Sequence, residues 1–268
     1  LPGNVIPYAT LGNRNIYIPA ILILLPFIIY HVFYAIDLKW KYFSAIAALL
    51  ILIVVVWSLM RTAMIGIGLT VIINLIILIL LNAKVKLFLS KHPFVKFAFP
   101  LLMAFFLVGF GIGIMNKFQL KHDKRKNLLN LNSTNERAVL WKNSIAMVNA
   151  YPLTGVGAGN WKIMLPHYGL KDLPPEARRA EMFYMRPEND FLWVFAETGI
   201  IGGVSYLGIF LFAFVACQRK IRNSILNSER HFGMVVLSAL VLYVVIAFFG
   251  FPKDRTYLQI ELAIIIAF

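Results

Sequence analysis

The stretch RPENDFLWVFAETGIIGG, residues 186–203, places an arginine, a glutamate and an aspartate at the start of a long apolar run. The run continues to residue 216, so as a helix it is long enough to cross the hydrocarbon core of a bilayer, roughly 30 Å thick. A further glutamate, Glu197, lies inside the run, where an unpaired carboxylate is costly. The stretch therefore predicts a membrane helix with a charged group of residues at one end.

The whole chain has the composition of a membrane protein. Of its 268 residues, 60% are hydrophobic and 14% are charged, and the mean hydropathy is +0.77. Apolar runs of spanning length number about seven, with the last one cut short: 16–36, 43–60, 62–81, 97–115, 191–216, 232–250 and 257 to the end. The predicted fold class is an all-α membrane protein, a polytopic helical bundle. Because the chain begins without methionine and ends inside a short apolar run, we expect it to be a piece of a longer protein.

The basic residues indicate the orientation of these helices. Three gaps between apolar runs, which helix counting places on one side, are rich in lysine and arginine: 37–42, 82–96 and 218–231. The positive-inside rule makes that side cytoplasmic. We predict three parts, namely N-terminal transmembrane helices at 1–115, an extracytoplasmic loop at 116–189 and C-terminal transmembrane helices at 190–268. This distribution explains the net charge of +14, so no nucleic-acid partner is predicted.

Within the long loop, STNERAVLWKNSIAMVNAYP, residues 133–152, predicts a helix. Ser133 with Glu136 forms a capping box, and Pro152 closes the segment. Steps of three and four residues place four side chains on one face, which is expected to dock onto the membrane domain: Arg137, Trp141, Ile145 and Val148.

The sequence TGVGAGN, residues 154–160, follows this helix with alternating glycines. Such a segment is typical of a tight turn after a helix. It is also typical of a backbone that approaches a ligand closely, and the sequence leaves both interpretations open.

Three arginines are candidates for binding an anion. Arg61 lies between two apolar runs with almost no polar loop around it, so it either faces a functional cavity or extends to the lipid headgroups. Arg137 and Arg186 stand at polar edges of elements expected to lean on the membrane. Because several guanidinium groups together can hold a diphosphate, these residues are candidate diphosphate ligands that need no metal.

Two glutamates of the opening stretch have two interpretations each. Glu188 follows Pro187 and precedes Asp190, so it is either a helix starter favoured by the macrodipole or a base for a sugar hydroxyl. Glu197 lies close to the small residues Gly199 and Gly203, where helices pack tightly. Arg61 is a plausible partner for Glu197, which would make this carboxylate structural.

No pattern in the sequence predicts a metal site or a cofactor. The five histidines are scattered, and none pairs with another at a spacing of three or four residues. Cys217 is the single cysteine, so a cysteine metal site is excluded.

In the order and spacing of several motifs, the chain resembles the O-antigen ligase and O-antigen polymerase superfamily of bacterial membrane glycosyltransferases. The ligase signature is a His followed by Asn, Ser or Gln, nine residues, Gly, two residues and then Gly, Thr or Tyr. Here Glu188 and Asn189 precede nine residues, Gly199, two residues and Gly202, so Glu188 occupies the position of the histidine. Three further segments are similar to family segments in the same order: GNRN at 12–15, SLMRTA at 58–63 and ERAVLWKNSIAMVNAYPLTGVGAGNW at 136–161.

The resemblance implies a helical membrane fold of the glycosyltransferase C type that acts on a glycan carried by undecaprenyl diphosphate. Arg61 and Arg137 would bind the diphosphate with help from Arg186, and Glu188 would replace the histidine as base. Trp141, Asn189, Glu197, Gly199 and Gly202 would support the site. No metal or cofactor is implied, and the partners would be the lipid bilayer and a glycan, lipid or protein acceptor. The resemblance also implies that the chain lies in the bacterial cytoplasmic membrane and that the extracytoplasmic loop at 116–189 is catalytic.

Other functions stay open at the level of sequence. A ligase ends a glycan on an acceptor, whereas a polymerase joins repeat units with the same donor chemistry. A transporter or flippase for an anionic lipid or solute would line a pathway with Arg61 and Glu197. A non-catalytic scaffold in envelope assembly is the remaining alternative.

Overall fold

The computed structural model describes residues 14–58, 60–81, 124–170, 173 and 183–267. Its α-helices, in chain order, are α1 (Arg14–Tyr34), α2 (Leu38–Ser58), α3 (Arg61–Leu81), α4 (Lys124–Ala150), α5 (Trp161–Met164), α6 (Asp190–Asn223), α7 (Asn227–Phe248) and α8 (Thr256–Ala267). Two short 3-10 segments, Leu165–Tyr168 and Pro252–Asp254, complete the described elements. No strand occurs in these ranges, and the all-α prediction is confirmed.

The long apolar helices coincide with predicted spans. Four helices of the described residues are long and apolar enough to cross a membrane, namely the segment Tyr17–Tyr34 of α1, and α2, α6 and α7. Two shorter apolar helical segments, Thr62–Asn74 and Thr256–Ala267, lie in the predicted runs at 62–81 and 257 to the end. The chain is thus a multi-pass helical membrane protein. The predicted span at 97–115 lies outside the described residues.

The chain divides into two compact units. Unit 1 comprises Leu1–Lys117, Ala213–Ile246 and Thr256–Phe268, and unit 2 comprises Phe118–Phe212 and Ala247–Arg255. The predicted parts were bounded by topology at 115 and 189. The units are bounded by contacts, and unit 2 therefore also takes in the first part of α6 and the turn that follows α7.

Unit 1 is held together by apolar helix packing with a few polar links. The ring of Phe232 on α7 makes edge-to-face contacts with Phe27 and Tyr30 of α1, at centroid distances of 6.4 and 5.5 Å. Asn74 Nδ2 of α3 donates a hydrogen bond to Ser238 Oγ of α7 at 2.6 Å. Such links satisfy polar side chains where lipid offers no hydrogen-bond partner.

Unit 2 is built around α4 and the apolar side chains that cover it. Its buried cluster consists of Leu140, Met147, Trp161, Leu165, Leu173 and Ala196. On α4 the buried stripe passes through Leu140, Ser144 and Met147, whereas Ile145 is 50% exposed. The predicted apolar stripe was therefore wrong at Ile145, whereas Val148 of the same stripe packs against the buried cluster.

The start of α4 also differs from the prediction. The helix begins at Lys124, so Ser133 lies inside it and is not its N-cap. The residues before Ser133 include Lys, Arg and Leu, which are good helix formers, and neither glycine nor proline interrupts them. A capping-box pattern therefore did not mark the beginning of this helix.

Helix α6 is interrupted at Gly199, which has φ 70° and ψ −168°. The interruption frees backbone groups, and the turn after α4 binds them. The N–H of Ile200 donates to the carbonyl of Pro152 at 2.7 Å, and the N–H groups of Val156 and Gly157 donate to the carbonyls of Ala196 and Glu197 at 2.9 and 3.0 Å. The two glycine-rich motifs of the sequence therefore meet and complete each other's hydrogen bonding.

Candidate functional site

The segment before α6 is fastened to α4 by two side-chain hydrogen bonds. The Tyr184 hydroxyl donates to Glu136 Oε2 at 3.0 Å, and Trp141 Nε1 donates to the carbonyl of Pro187 at 2.9 Å. The Trp141 ring also meets the Phe248 ring edge to face, with centroids 5.6 Å apart. Trp141 thus holds the backbone next to Glu188, and its predicted role in supporting the site stays a prediction.

Glu188 is held in an unusual backbone conformation at this point. Its φ is 56°, and it is the one non-glycine residue of the described chain with a positive φ. An L-residue pays of order 1–3 kcal/mol to stay in such a region, and such strain is concentrated at functional sites. Glu188 and Pro187 precede α6, so neither is a helix starter.

Asn189 and Asp190 fix the beginning of α6. Asn189 is buried, and its Oδ1 accepts the N–H of Leu192 at 3.0 Å as an N-cap does. The fully buried Asp190 accepts the backbone N–H of Lys253 through Oδ2 at 2.7 Å. The turn at Pro252–Asp254 is therefore anchored to the start of α6.

Arginines surround Glu188. Arg137 Nη2 lies 3.6 Å from Glu188 Oε2, and the two side chains are 34% and 28% exposed. Arg186 forms an ion pair with Asp254, and its guanidinium carbon lies 3.9 Å from the centre of the Phe251 ring. The two arginines of unit 2 that are proposed as phosphate ligands thus lie beside the N-terminal end of α6.

A third arginine, Arg255, was missed at the level of sequence. Its guanidinium carbon lies 5.3 Å from the centre of the same Phe251 ring. The signal was available, because Lys253, Asp254 and Arg255 crowd a short turn that topology places on the same side as the long loop. Such a charge density between two apolar runs indicates a polar site rather than a plain connection.

Burial and the arginines act on Glu188 in opposite directions. Burial of the carboxyl raises the pKa of Glu188 above its ordinary value, while the positive charges of Arg137, Arg186 and Arg255 lower it, and the net shift is upward. For Arg186, burial is the largest influence and lowers the pKa of its guanidinium. A carboxyl with a raised pKa can exchange a proton with a hydroxyl, and the surrounding arginines favour an anion beside it.

Glu197 occupies a different environment inside α6. It is 5% exposed, and its Oε1 accepts the N–H of Trp161 at 3.3 Å. Its Oε2 lies 3.9 Å from Lys253 Nζ, which also stands 3.8 Å from the centre of the Trp193 ring. Burial is the main reason that the pKa of Lys253 is lowered, and Glu197 and Asp190 oppose this shift. Glu197 therefore joins the break in α6 to α5 and to the turn after α7.

The predicted site residues thus separate into groups. Unit 2 brings Arg137, Arg186 and Glu188 together, with Trp141 and Asn189 supporting their backbone. Glu197, Gly199 and Gly202 lie further along α6, where a Cβ on Gly199 would overlap the carbonyl of Leu153 and one on Gly202 would overlap the Thr198 side chain. The close packing expected at Gly199 is therefore with the turn after α4.

Arg61 is the first residue of α3 and belongs to unit 1. Its side chain lies outside the described part of the structure, so its pairing with Glu197 stays a prediction. Among the described residues, no three side chains of His, Cys, Asp and Glu are grouped to hold a metal ion.

Comparison with known proteins gives one match. The family model described as O-antigen ligase matches residues 46–207, which is more than half of the chain. No curated protein and no solved structure is similar enough to the chain to count as a match. The matched region contains α3, α4 and the N-terminal end of α6.

Proposed function

The chain belongs to the O-antigen ligase family, and on this premise we propose that it transfers a glycan from undecaprenyl diphosphate to an acceptor hydroxyl at the extracytoplasmic face of the bacterial cytoplasmic membrane. The observation that carries the proposal is Glu188 itself. It stands at the position of the family histidine, in a strained backbone conformation and 3.6 Å from Arg137. Strain at a position with nearby charged groups supports a role in chemistry rather than in packing.

In the proposed reaction, Glu188 takes the proton of the acceptor hydroxyl. The hydroxyl oxygen forms a bond to the anomeric carbon of the donor sugar as the bond between that carbon and the diphosphate oxygen breaks. The electron pair of the broken bond stays with the diphosphate, whose charge Arg137 and Arg186 stabilise. Arg61 is proposed as a further diphosphate ligand on the resemblance to the family. The reaction requires no oxidant or reductant.

The raised pKa of Glu188 supports this assignment. A glutamate with an ordinary pKa is a weak base at neutral pH, and the nearby arginines alone would weaken it further. Burial outweighs them, so the carboxyl keeps an affinity for protons while the arginines remain beside it. Base and anion ligands can therefore share one site.

The direct test is a glycan-transfer assay with three variants of one residue. Glu188→Gln keeps the shape of the side chain but removes the base, and we expect at least about a 100-fold loss of turnover. Glu188→His restores the family residue and is expected to retain most of the activity. Unchanged turnover in Glu188→Gln would exclude Glu188 as the base, and Glu188→Asp reports how far the carboxylate position matters.

Alanine substitutions of the arginines test whether they bind the diphosphate of the donor. Arg61→Ala and Arg137→Ala should abolish transfer while the protein stays in the membrane, and the exposed Lys142→Ala on α4 is the matched control. Full activity in both arginine variants would contradict the transferase proposal.

Use of a repeat unit as acceptor in the same assay would identify a polymerase, and use of another lipid or protein acceptor would identify a ligase.

The structure gives less support to a transporter or flippase. That function would use Glu197 along a pathway, but both carboxylate oxygens of Glu197 already face Trp161 and Lys253. Movement of an anionic lipid by reconstituted protein, without formation of a glycosidic bond, would favour transport. Failure to bind any lipid-linked sugar would favour a scaffold.

A further inference from the structure

The burial pattern of α6 changes abruptly at Gly199. None of the side chains from 190 to 199 is exposed, because the loops and helices of unit 2 surround them. Immediately afterwards, large apolar side chains are exposed, with Ile200, Ile201 and Val204 at 46%, 66% and 57%. Apolar side chains exposed in a row on a membrane helix are typical of contact with lipid.

The length of the remaining helix agrees with one crossing of the bilayer. At a rise of about 1.5 Å per residue, residues 200–217 span about 27 Å, close to the roughly 30 Å of the hydrocarbon core. The residues that follow, Gln218, Arg219 and Lys220, are exposed and polar, as expected for a helix end in the headgroup layer. The crossing of α6 therefore begins at its interruption.

The turn after α4 lies at this same level. The carbonyl of Pro152 accepts the N–H of Ile200 at 2.7 Å, so the residues on both sides of Pro152 stand next to the first exposed turn of the crossing. Those residues are Tyr151 and Leu153, which are 44% and 64% exposed. A tyrosine and a leucine facing outwards at the end of a membrane crossing have the chemistry of an interfacial anchor.

We propose that Tyr151, Leu153, Ile200 and Ile201 form one interfacial patch, which inserts into the edge of the bilayer and rests unit 2 on the lipid. The occupant of the patch is lipid, because the patch continues the lipid-facing side of α6 without a break. The glycine-rich turn at 154–160 thereby sets the depth at which unit 2 lies. This proposal does not depend on the proposed function.

Site-directed spin labelling of the full chain in lipid nanodiscs tests the patch. The single cysteine allows a Cys217→Ser background, into which Leu153→Cys, Tyr151→Cys, Ile201→Cys and, as the aqueous control, Lys142→Cys are introduced one at a time. We expect labels at 151, 153 and 201 to be accessible to molecular oxygen and several-fold less accessible to a water-soluble nickel complex than the label at 142.

Two outcomes would overturn the proposal. Nickel accessibility at 151 and 153 equal to that at 142 would place the patch in water. Protection of both positions from oxygen as well as from nickel would show that protein covers them. The Ile201→Cys variant, measured in parallel, reports whether α6 enters the bilayer at this level, and the two positions 151 and 153 guard against a single variant that fails to fold.

Discussion

Glu188 and Glu197 differ in their surroundings although both belong to the same stretch and lie nine residues apart. Glu197 is 5% exposed and has a partner for each carboxylate oxygen, on ordinary helical backbone. Glu188 is more exposed and has a positive φ, and its Oε2 faces Arg137 Nη2 at 3.6 Å. The first arrangement minimises the energy of a buried carboxylate, whereas the second keeps a carboxylate available at an energetic cost.

The comparison teaches how to separate structural from functional charge near a membrane. A structural carboxylate is recognised by deep burial on unstrained backbone, and a functional one by partial exposure on strained backbone. Substitutions at Gly199, at the two glutamates and at Arg255 test this distinction.

The largest effect on stability is expected at Gly199, where the helix that carries Glu197 is interrupted. Gly199→Ala should lower the free energy of unfolding by about 3 kcal/mol or more, because the new Cβ meets the Leu153 carbonyl and the positive φ disfavours alanine. Gly208→Ala, in the same helix with open space around it, is the control and should be neutral or slightly stabilising. Thermal unfolding in detergent measures both, and equal stability of the two variants would show that the interruption is not needed.

A smaller effect should separate the two glutamates directly. Glu197→Gln should cost about 1–3 kcal/mol of stability, because a charge-assisted link to Lys253 is lost in a buried place. Turnover per folded molecule should stay near that of the unmodified chain. Glu188→Gln should show the opposite pattern, with lost turnover and little change in stability. If both variants lose stability alike, the two carboxylates are both structural and the comparison fails.

The smallest effect concerns the pH dependence of transfer. The base must be ionised, so turnover should rise with pH through the pKa of Glu188, which burial sets above the ordinary value for glutamate. Arg255 lowers that pKa, and Arg255→Gln should therefore move the acidic limb of the turnover profile to higher pH. Lys142→Gln serves as the control for a general loss of positive charge. An acidic limb that stays in place or moves to lower pH would contradict the assignment of this limb to Glu188.

The sequence predicted much of the fold, because a bilayer imposes strict rules on composition. The apolar runs at 16–36, 43–60, 191–216 and 232–250 all coincide with long helices, since spanning segments must be apolar and must satisfy their own backbone. The extent of α4 was less predictable. It begins well before Ser133, because a local capping pattern does not stop a helix whose preceding residues are also good helix formers.

The roles of the predicted site residues stay predictions, and their arrangement could not be derived from the sequence. Motif spacing singled out Glu188, and position at a polar edge singled out Arg137 and Arg186; the structure brings all three to one end of α6. The sequence did not identify Arg255 or Asp254 as site residues, because the charges in their short turn do not show which distant residues the turn contacts. The partner proposed for Glu197 was Arg61, while the structure shows Lys253 beside it.

The amino-acid sequence alone is enough to identify a helical membrane protein with charged residues at 186–190, directly before an apolar run. Hydrophobicity is a sum over residues, so it can be read without coordinates. Only the tertiary structure decided which of the two glutamates is satisfied and which is strained. Strain, burial and pKa depend on neighbours that folding supplies: Trp141 holds Pro187, Lys253 and Trp161 satisfy Glu197, and the Leu153 carbonyl occupies the space beside Gly199.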